Sequence, residues 1–241
     1  MTKHVLLDNV THHDLKISPY FKAEFGDKVN TVLTFPTELA TMQTIYPIFF
    51  RKDSKTETYQ LVAMLGFEQD ENLFLNEKNH TWQADYIPAV VTKGPFLIGF
   101  QDQSKDGGSE QAPVVHIDMD SPRIDNEHGI PVFLEHGGIS PYLKTINSQL
   151  LNIYQGMSAA EAMINLFTEM DLIEPVNLEI TLNNGNKHNL SGNYTISDEK
   201  LAGLTGEKLD KLNKAGFLQS AFLIMTSINN VGRLISIKNR Q

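Results

Sequence analysis

The side chains best suited to chemistry lie together in residues 114–123, which read VVHIDMDSPR. Side chains of a β-strand alternate between two faces, so His116, Asp118 and Asp120 would share one face, each about 6.6 Å from the next. An imidazole and two carboxylates in a row can bind a divalent cation, or they can pair with Arg123. We favour a half-exposed strand whose polar face contacts water. A metal or catalytic site and a structural ion pair are the alternatives.

A histidine and an aspartate two residues apart, with a second histidine far along the chain, also match the ligand set of non-haem iron enzymes. His116 and Asp118 would then need His188 as the third ligand. Two features oppose this assignment: helices are predicted where such enzymes have barrel strands, and His188 adjoins a predicted hairpin turn. We therefore expect no cofactor, with a divalent metal such as iron as the alternative.

A second candidate site lies in residues 135–141, which read EHGGISP. His136, Gly137 and Gly138 precede Ser140, the predicted start of a helix, and backbone N–H groups in such a place can bind an anion. A hydrolase of the α/β class would also need a Gly-x-Ser-x-Gly elbow, which the chain lacks. The simpler interpretation is a tight turn that leads the chain from a sheet into a helix.

Aromatic residues and prolines are frequent in the first half of the chain, and Trp82 is the single tryptophan. Such residues at strand edges can form a groove for a peptide or a sugar. More often they fill a core. Catalytic residues cannot be assigned from these patterns, and the predicted ligand-binding side chains are His116, Asp118, Asp120, Arg123, His136, Gly137, Gly138, Ser140 and Trp82.

Short apolar runs separated by turn residues predict an α+β fold in which most strands are antiparallel. In the first half we expect a short helix over 36–45, an exposed loop over 101–112 and strands at 4–7, 46–50, 60–67, 86–91, 96–100 and 114–119. Residues 176–182 alternate apolar and polar, and Asn183-Asn184-Gly185 is a typical hairpin turn. A hairpin over about 176–196 is therefore predicted.

Helical patterns dominate the chain from Ser140 onwards. Ser140 and a following proline predict a helix start, and a second helix is expected to begin at Ser158, with Glu161 completing a capping box. We predict that these two helices form an antiparallel pair joined at Gly156, and that the C-terminal helices pack on the sheet. The chain then forms one domain over 1–241, strand-rich in 1–135 and helix-rich in 136–241.

Composition excludes several classes of protein. The 241 residues contain 20 Lys and Arg against 29 Asp and Glu, a formal net charge of −9, and there is no cysteine. The charge opposes nucleic-acid binding, and the missing thiols exclude disulfide scaffolds and thiolate metal sites. No secretory signal begins the sequence, and its longest apolar stretch, 215–228, is too short to span a membrane. We expect a soluble cytoplasmic protein without a transmembrane segment.

Several short motifs, in this order, resemble the bacterial SapC family, which is named after a component linked to surface-layer protein. The resemblance spans nearly the whole chain. It rests on Phe35-Pro-Thr-Glu38, Tyr46-Pro-Ile-Phe-Phe-Arg51, Ile87-Pro88, Gly94-Pro-Phe-Leu-Ile-Gly99, residues 116–123, residues 136–143, Leu172-Ile-Glu-Pro175 and residues 232–240.

The resemblance implies association with the bacterial surface or with nutrient uptake. Relatives are encoded beside TonB-dependent receptors, halogenase-like proteins and cupin-like proteins, in clusters that suggest glycan or peptide uptake. We therefore predict a non-enzymatic binding or accessory protein, a homodimer whose partners come from such a cluster. The alternatives are a metal-dependent oxygenase or hydrolase that uses His116 and Asp118 with His136 or His188, and a structural protein of the surface layer.

Overall fold

The structure is a computed structural model that describes residues 3–102 and 111–240. It contains both strands and helices, and every pairing between its strands is antiparallel, which confirms the α+β prediction. The strands are β1 His4–Leu6, β2 Lys16–Ile17, β3 Thr31–Leu33, β4 Ile48–Lys52, β5 Tyr59–Met64, β6 Leu75–Asn76, β7 Thr81–Trp82, β8 Phe96–Asp102, β9 Gln111–Asp118, β10 Ile130–Pro131, β11 Ile173–Thr181 and β12 Lys187–Ile196. The helices are α1 Leu39–Met42, α2 Ala89–Thr92, α3 Pro141–Glu169, α4 Asp198–Ala202, α5 Gly206–Lys214, α6 Phe217–Ser227 and α7 Val231–Lys238.

Two sheets organise these elements. The larger has the strand order β11-β12-β4-β5-β3, and the smaller has the order β1-β9-β8. The predicted hairpin over 176–196 is confirmed as β11 and β12, and its turn residue Gly185 has a φ of +86°, a conformation that glycine adopts readily. Because β12 pairs with β4, the larger sheet combines strands from both halves of the chain.

Helix α3 contributes to the hydrophobic core beneath each sheet. It has 29 residues and is therefore about 43 Å long. Leu143, Ile146 and Leu150 near its start pack with the smaller sheet, whereas Met163 and Phe167 near its end pack with the larger one. The helix thus connects the two cores.

The predicted pair of helices joined at Gly156 is wrong, because α3 continues unbroken through this residue. Gly156 is buried where α3 packs against Phe35 and Thr37 of the same chain. A Cβ atom placed on it would lie 2.5 Å from Phe35 Cβ and 2.8 Å from Thr37 Oγ1. The glycine therefore allows a close approach and does not end the helix.

Two other predictions differ from the structure. Residues 86–91 do not form a strand but lead into α2, whose first N–H, that of Ala89, donates to the buried Glu38 carboxylate. Strands β8 and β9 extend into the segment predicted as a loop, to Asp102 and from Gln111. The rest of that predicted loop, 103–110, lies outside the described residues.

The C-terminal helices follow the prediction. Helices α6 and α7 contribute buried side chains to the core of the larger sheet. Of the helices in the described residues, none combines the length and the apolarity that crossing a membrane requires.

Candidate functional site

His116 lies in the middle of the smaller sheet, on β9, opposite Leu6 of β1 and Leu97 of β8. Its ring covers Gly99 of the neighbouring strand so closely that a Cβ atom on Gly99 would lie 2.3 Å from His116 Nδ1. The half-buried imidazole therefore fills the space that the glycine leaves on the sheet.

The two aspartates that follow His116 hold the backbone at the end of β9. Asp118 Oδ1 accepts a hydrogen bond of 3.1 Å from the Asp120 N–H, and Asp120 Oδ2 accepts one of 3.1 Å from the Lys3 N–H. Asp118 thus stabilises the turn after β9, and Asp120 fastens Lys3 to that turn.

The metal triad of His116, Asp118 and His188 does not assemble. His188 belongs to β12 in the larger sheet, where its ring lies 5.7 Å from that of Phe67 and its Nδ1 lies 3.7 Å from Glu68 Oε1. Within residues 3–102 and 111–240, no group of three His, Cys, Asp or Glu side chains is placed to hold a metal ion. The sequence spacing was misleading because the two histidines belong to different sheets.

Arg123 is the most deeply buried of the predicted site residues with a charge, at 8% exposure. Its guanidinium forms an ion pair with Asp27, which is 5% exposed, and donates a hydrogen bond of 3.1 Å to the Tyr20 carbonyl. The rings of Phe21 and Phe25 lie 5.6 and 5.1 Å from the guanidinium carbon, within range of a cation–π interaction.

The Arg123 centre, meaning Arg123, Asp27 and the two phenylalanines, fastens residues 20–27 to the turn that follows β9. Pairing of Arg123 with Asp118 or Asp120 was one alternative that the sequence left open, but the structure pairs Arg123 with Asp27. Asp27 lies 96 positions away and carried no signal in the sequence.

The buried charges at this centre change the pKa values of neighbouring groups. Burial raises the pKa of Asp27, and the positive charge of Arg123 acts in the opposite direction. Burial, together with Arg123, lowers the pKa of Lys93, whose Nζ donates to two backbone carbonyls at 3.3 and 3.4 Å. Burial also raises the pKa of Tyr142 to about 12, so its hydroxyl stays protonated at neutral pH.

Residues 134–138 form a tight turn. The Gly137 N–H donates to the Leu134 carbonyl at 2.8 Å, and the Leu134 N–H donates to the Gly138 carbonyl at 2.6 Å. Gly137 has a φ of +84°, and its carbonyl accepts a hydrogen bond from Asn9 Nδ2. Internal bonds thus occupy the Gly137 N–H that an anion cradle would use, and His136 stands at the tip of this turn.

Ser140 caps α3 as predicted. Its hydroxyl oxygen accepts a hydrogen bond of 3.2 Å from the Leu143 N–H, and Pro141 occupies the first helical position. The buried Ser140 therefore serves the helix terminus, where it satisfies one of the unpaired backbone N–H groups.

Trp82 belongs to the core beneath the larger sheet. Its indole N–H donates to the Tyr46 hydroxyl at 2.8 Å, and that hydroxyl donates to the Tyr86 carbonyl at 2.5 Å. The Tyr86 hydroxyl in turn donates to the buried carboxylate of Glu38 at 2.9 Å. This chain of hydrogen bonds joins the residues on either side of α1 to β7 and to the segment after it. Burial raises the pKa of both tyrosines.

A different surface is rich in apolar side chains. Leu151, Tyr154 and Met157 follow one another at intervals of three along α3, and they are 46%, 41% and 57% exposed. The ring of Phe100 on β8, itself 44% exposed, lies 5.2 Å from that of Tyr154. We call these four residues the apolar face of α3. Single exposed apolar residues are common in proteins, but adjoining ones mark binding surfaces.

A groove of about 500 Å³ continues this surface between α3 and the end of β3. Its lining is mostly apolar, and Leu33, at the end of β3, is 42% exposed. The helix contributes one side of the groove and strands β3 and β5 the other. The residues that line it are Leu33, Thr34, Phe35, Thr58, Tyr59, Gln60, Leu61, Met157, Ala160, Glu161, Ile164 and Asn165.

This surface was not predicted from the sequence, although a signal was present. Leu151, Tyr154 and Met157 have the spacing of a helical stripe, and the stripe lies beside the one that carries the buried Ile146, Leu150 and Ile153. The sequence of α3 therefore contains more apolar positions than a single core-facing stripe requires.

Comparison with known proteins gives one match. A family model described as SapC matches residues 7–234. No curated protein matches the chain, and no solved structure matches it.

Proposed function

Because the chain belongs to the SapC family, we propose that it is a non-enzymatic accessory protein that binds a partner protein through the apolar face of α3. The observation that carries this proposal is the exposure of Phe100, Leu151, Tyr154 and Met157 on adjoining surface. Burying exposed apolar surface of this kind against a partner is favourable in free energy, because water is excluded from it.

The kinds of side chain on this face support protein binding. Tyrosine and phenylalanine contribute large contact areas, and methionine adapts its shape to a partner. Tyr154 in addition brings a hydroxyl group that can form hydrogen bonds at the rim of an interface. No member of the face carries a charge that would have to be desolvated.

The structural roles of the polar side chains support a non-enzymatic function. Arg123 is paired with Asp27, His116 packs on Gly99, and Ser140 caps α3. Each of these groups stabilises the fold through contacts within the chain.

The proposed partners follow from the resemblance described above. We propose that they are proteins encoded beside the gene, in a cluster for surface or nutrient-uptake functions. Self-association as a homodimer is a further prediction, which size-exclusion chromatography with light scattering would check.

The test is a binding measurement by isothermal titration calorimetry between the purified protein and the purified products of the neighbouring genes. We expect one of them to bind and the variants Tyr154→Ser and Met157→Ser to weaken that binding by about tenfold or more. Phe222→Ser is the matched control, because Phe222 is 50% exposed on α6 and lies outside the apolar face of α3. The proposal is wrong if none of these proteins binds, or if all three variants bind as the wild type does.

A further inference from the structure

We propose that the groove between β3 and α3 binds an extended apolar segment of the partner, and that this segment adds a strand to the edge of the larger sheet. This inference rests on the proposed function and specifies how the partner is held. Strand addition of this type uses backbone hydrogen bonds for affinity and side-chain pockets for specificity.

The backbone of β3 has hydrogen-bonding capacity on its outer side. β3 is the last strand of the larger sheet, and its inner side is bonded to β5, as the bond of 3.0 Å from the Thr34 N–H to the Leu61 carbonyl illustrates. Backbone groups alternate in direction along a strand, so those of Thr31 and Leu33 point outward. In the described part of the chain they make no hydrogen bond.

The opposite edge of the same sheet is built differently. Its edge strand, β11, contains Pro175, which has no N–H to donate, and the charged Glu174 and Glu179. Proline and charged side chains are common devices that prevent a further strand from pairing with an edge. β3 has neither a proline nor a charged side chain, and its length of three residues is the one such device that it has.

The groove, which is lined by α3, the end of β3 and the start of β5, suits apolar side chains. Leu33 and Phe35 on one side face Met157, Ala160 and Ile164 of α3 on the other. Side chains of an added strand alternate between its two faces, so every second residue of the bound segment would enter the groove. A helical ligand would leave the outer backbone groups of β3 unpaired, and for that reason we assign an extended segment.

Charge specifies the segment further. Glu161 is the one Asp, Glu, Lys, Arg or His side chain in the groove lining, and it is exposed. Among the described residues it forms no salt bridge. A lysine or arginine next to the apolar residues of the partner would complement this carboxylate.

The test uses a fixed set of fluorescent synthetic peptides of about seven residues, which is within the usual length of a β-strand. In each peptide, apolar residues alternate with threonine, and one end carries a lysine or a glutamine. Fluorescence polarisation measures their binding to the full chain. We expect lysine-bearing members to bind, and we expect Glu161→Gln to remove their advantage over the glutamine-bearing ones.

Two changes separate strand addition from general hydrophobic contact. Leu33→Pro removes an outward N–H, while the bonds of Val32 and Thr34 to β5 remain. N-methylation of alternate peptide residues removes donors from the ligand and leaves the protein untouched, so it decides the matter even if Leu33→Pro does not fold. Each change should raise the Kd by about tenfold or more, and a tenfold change corresponds to about 1.4 kcal/mol of binding free energy.

Three results would overturn the inference: no peptide of the set binds, N-methylated peptides bind as well as unmodified ones, or Leu33→Pro dissociates a homodimer in the absence of peptide. The last would assign the edge to a second copy of the chain. The proposed function has a separate outcome. A neighbouring gene product that is released by Tyr154→Ser but is still bound by Leu33→Pro would support the accessory role and reject strand addition.

Discussion

The Arg123 centre and the apolar face of α3 place opposite kinds of side chain in opposite surroundings. Arg123 and Asp27 carry full charges at 8% and 5% exposure, whereas Tyr154 and Met157 are 41% and 57% exposed. Both arrangements are unfavourable for isolated groups. The charges are compensated by each other and by the rings of Phe21 and Phe25.

The apolar side chains on α3 have no such compensation within the described residues beyond the contact between Tyr154 and Phe100. The apolar face of α3, and not the Arg123 centre, is therefore the region available to a partner. A buried group whose interactions are complete contributes to the fold, and an exposed apolar group gains stability only from something that binds. Four predictions test this division, in order of decreasing effect.

The largest effect is expected at the Arg123 centre. Arg123→Ala leaves the carboxylate of Asp27 buried without its cation, and we expect a loss of about 3–5 kcal/mol in the free energy of unfolding. Urea denaturation followed by circular dichroism measures it. The double variant Arg123→Met/Asp27→Leu is the control and should recover most of the loss, because it removes both charges. A loss below about 1 kcal/mol for Arg123→Ala would mean that water solvates the pair.

Two adjacent residues of α3 provide the next prediction, since Gly156 faces inward and Met157 faces outward. Gly156→Ala should destabilise the protein by about 1–3 kcal/mol, because the added methyl group overlaps Phe35 and Thr37. Alanine is otherwise the better helix former by about 1 kcal/mol. Met157→Ala should change stability by no more than about 0.5 kcal/mol. Urea denaturation of both variants checks this, and equal effects would refute the assigned orientation of the helix.

An ion pair of intermediate burial tests the pH dependence. Glu71 and Lys238 are 13% and 22% exposed and join α7 to the loop after β5. Burial alone would raise the pKa of Glu71, but hydrogen bonds from Lys238 and from the Phe67 N–H outweigh it and lower the pKa below 4.5. A lowered carboxylate pKa stabilises the folded state above the unfolded-state pKa, and this contribution disappears as the pH falls through the folded-state value.

Glu71→Gln should therefore lose about 1 kcal/mol near neutral pH and lose progressively less in acid. Urea midpoints measured from neutral pH down to about pH 3 report the difference between variant and wild type. Glu169→Gln is the control, because Glu169 pairs with Lys211 on the surface, where ion pairs contribute little. A constant difference across this range would contradict the assigned pKa direction.

The smallest effect is expected at His116. Its ring packs on Gly99 and forms no salt bridge with another described residue, so His116→Ala should change stability by about 1 kcal/mol or less. Elemental analysis by inductively coupled plasma mass spectrometry should give the same metal content for variant and wild type. Near-stoichiometric iron, zinc or manganese that the variant loses would restore the metalloenzyme alternative.

Several elements were predictable because their signals are local. Ser140 and Pro141 indicated the start of α3, and Asn183-Asn184-Gly185 indicated the hairpin turn. Both signals depend on residues a few positions apart, whose geometry is set by the backbone itself. The same local reading failed at Gly156, where the deciding contact is with Phe35, far away in sequence.

The candidate site was less predictable than the fold. His116, Asp118 and Arg123 stand close together in the sequence, yet each has a different partner: Gly99, the Asp120 N–H and Asp27. Their chemistry could be recognised from residue type alone. Whether these groups are available to a ligand depends on which residues contact them in the folded protein, and the sequence does not show those contacts.

The sequence by itself determined the family, the α+β class, the hairpin and the C-terminal helices, since these follow from ordered motifs and from short-range periodicity. Only the tertiary structure decided that Arg123 binds Asp27, that Trp82 lies in the core and that Tyr154 and Met157 face outward. The physical reason is the range of the interactions. Backbone conformation responds to residues within a few positions, whereas burial and pairing are set by segments about a hundred positions apart that meet only on folding.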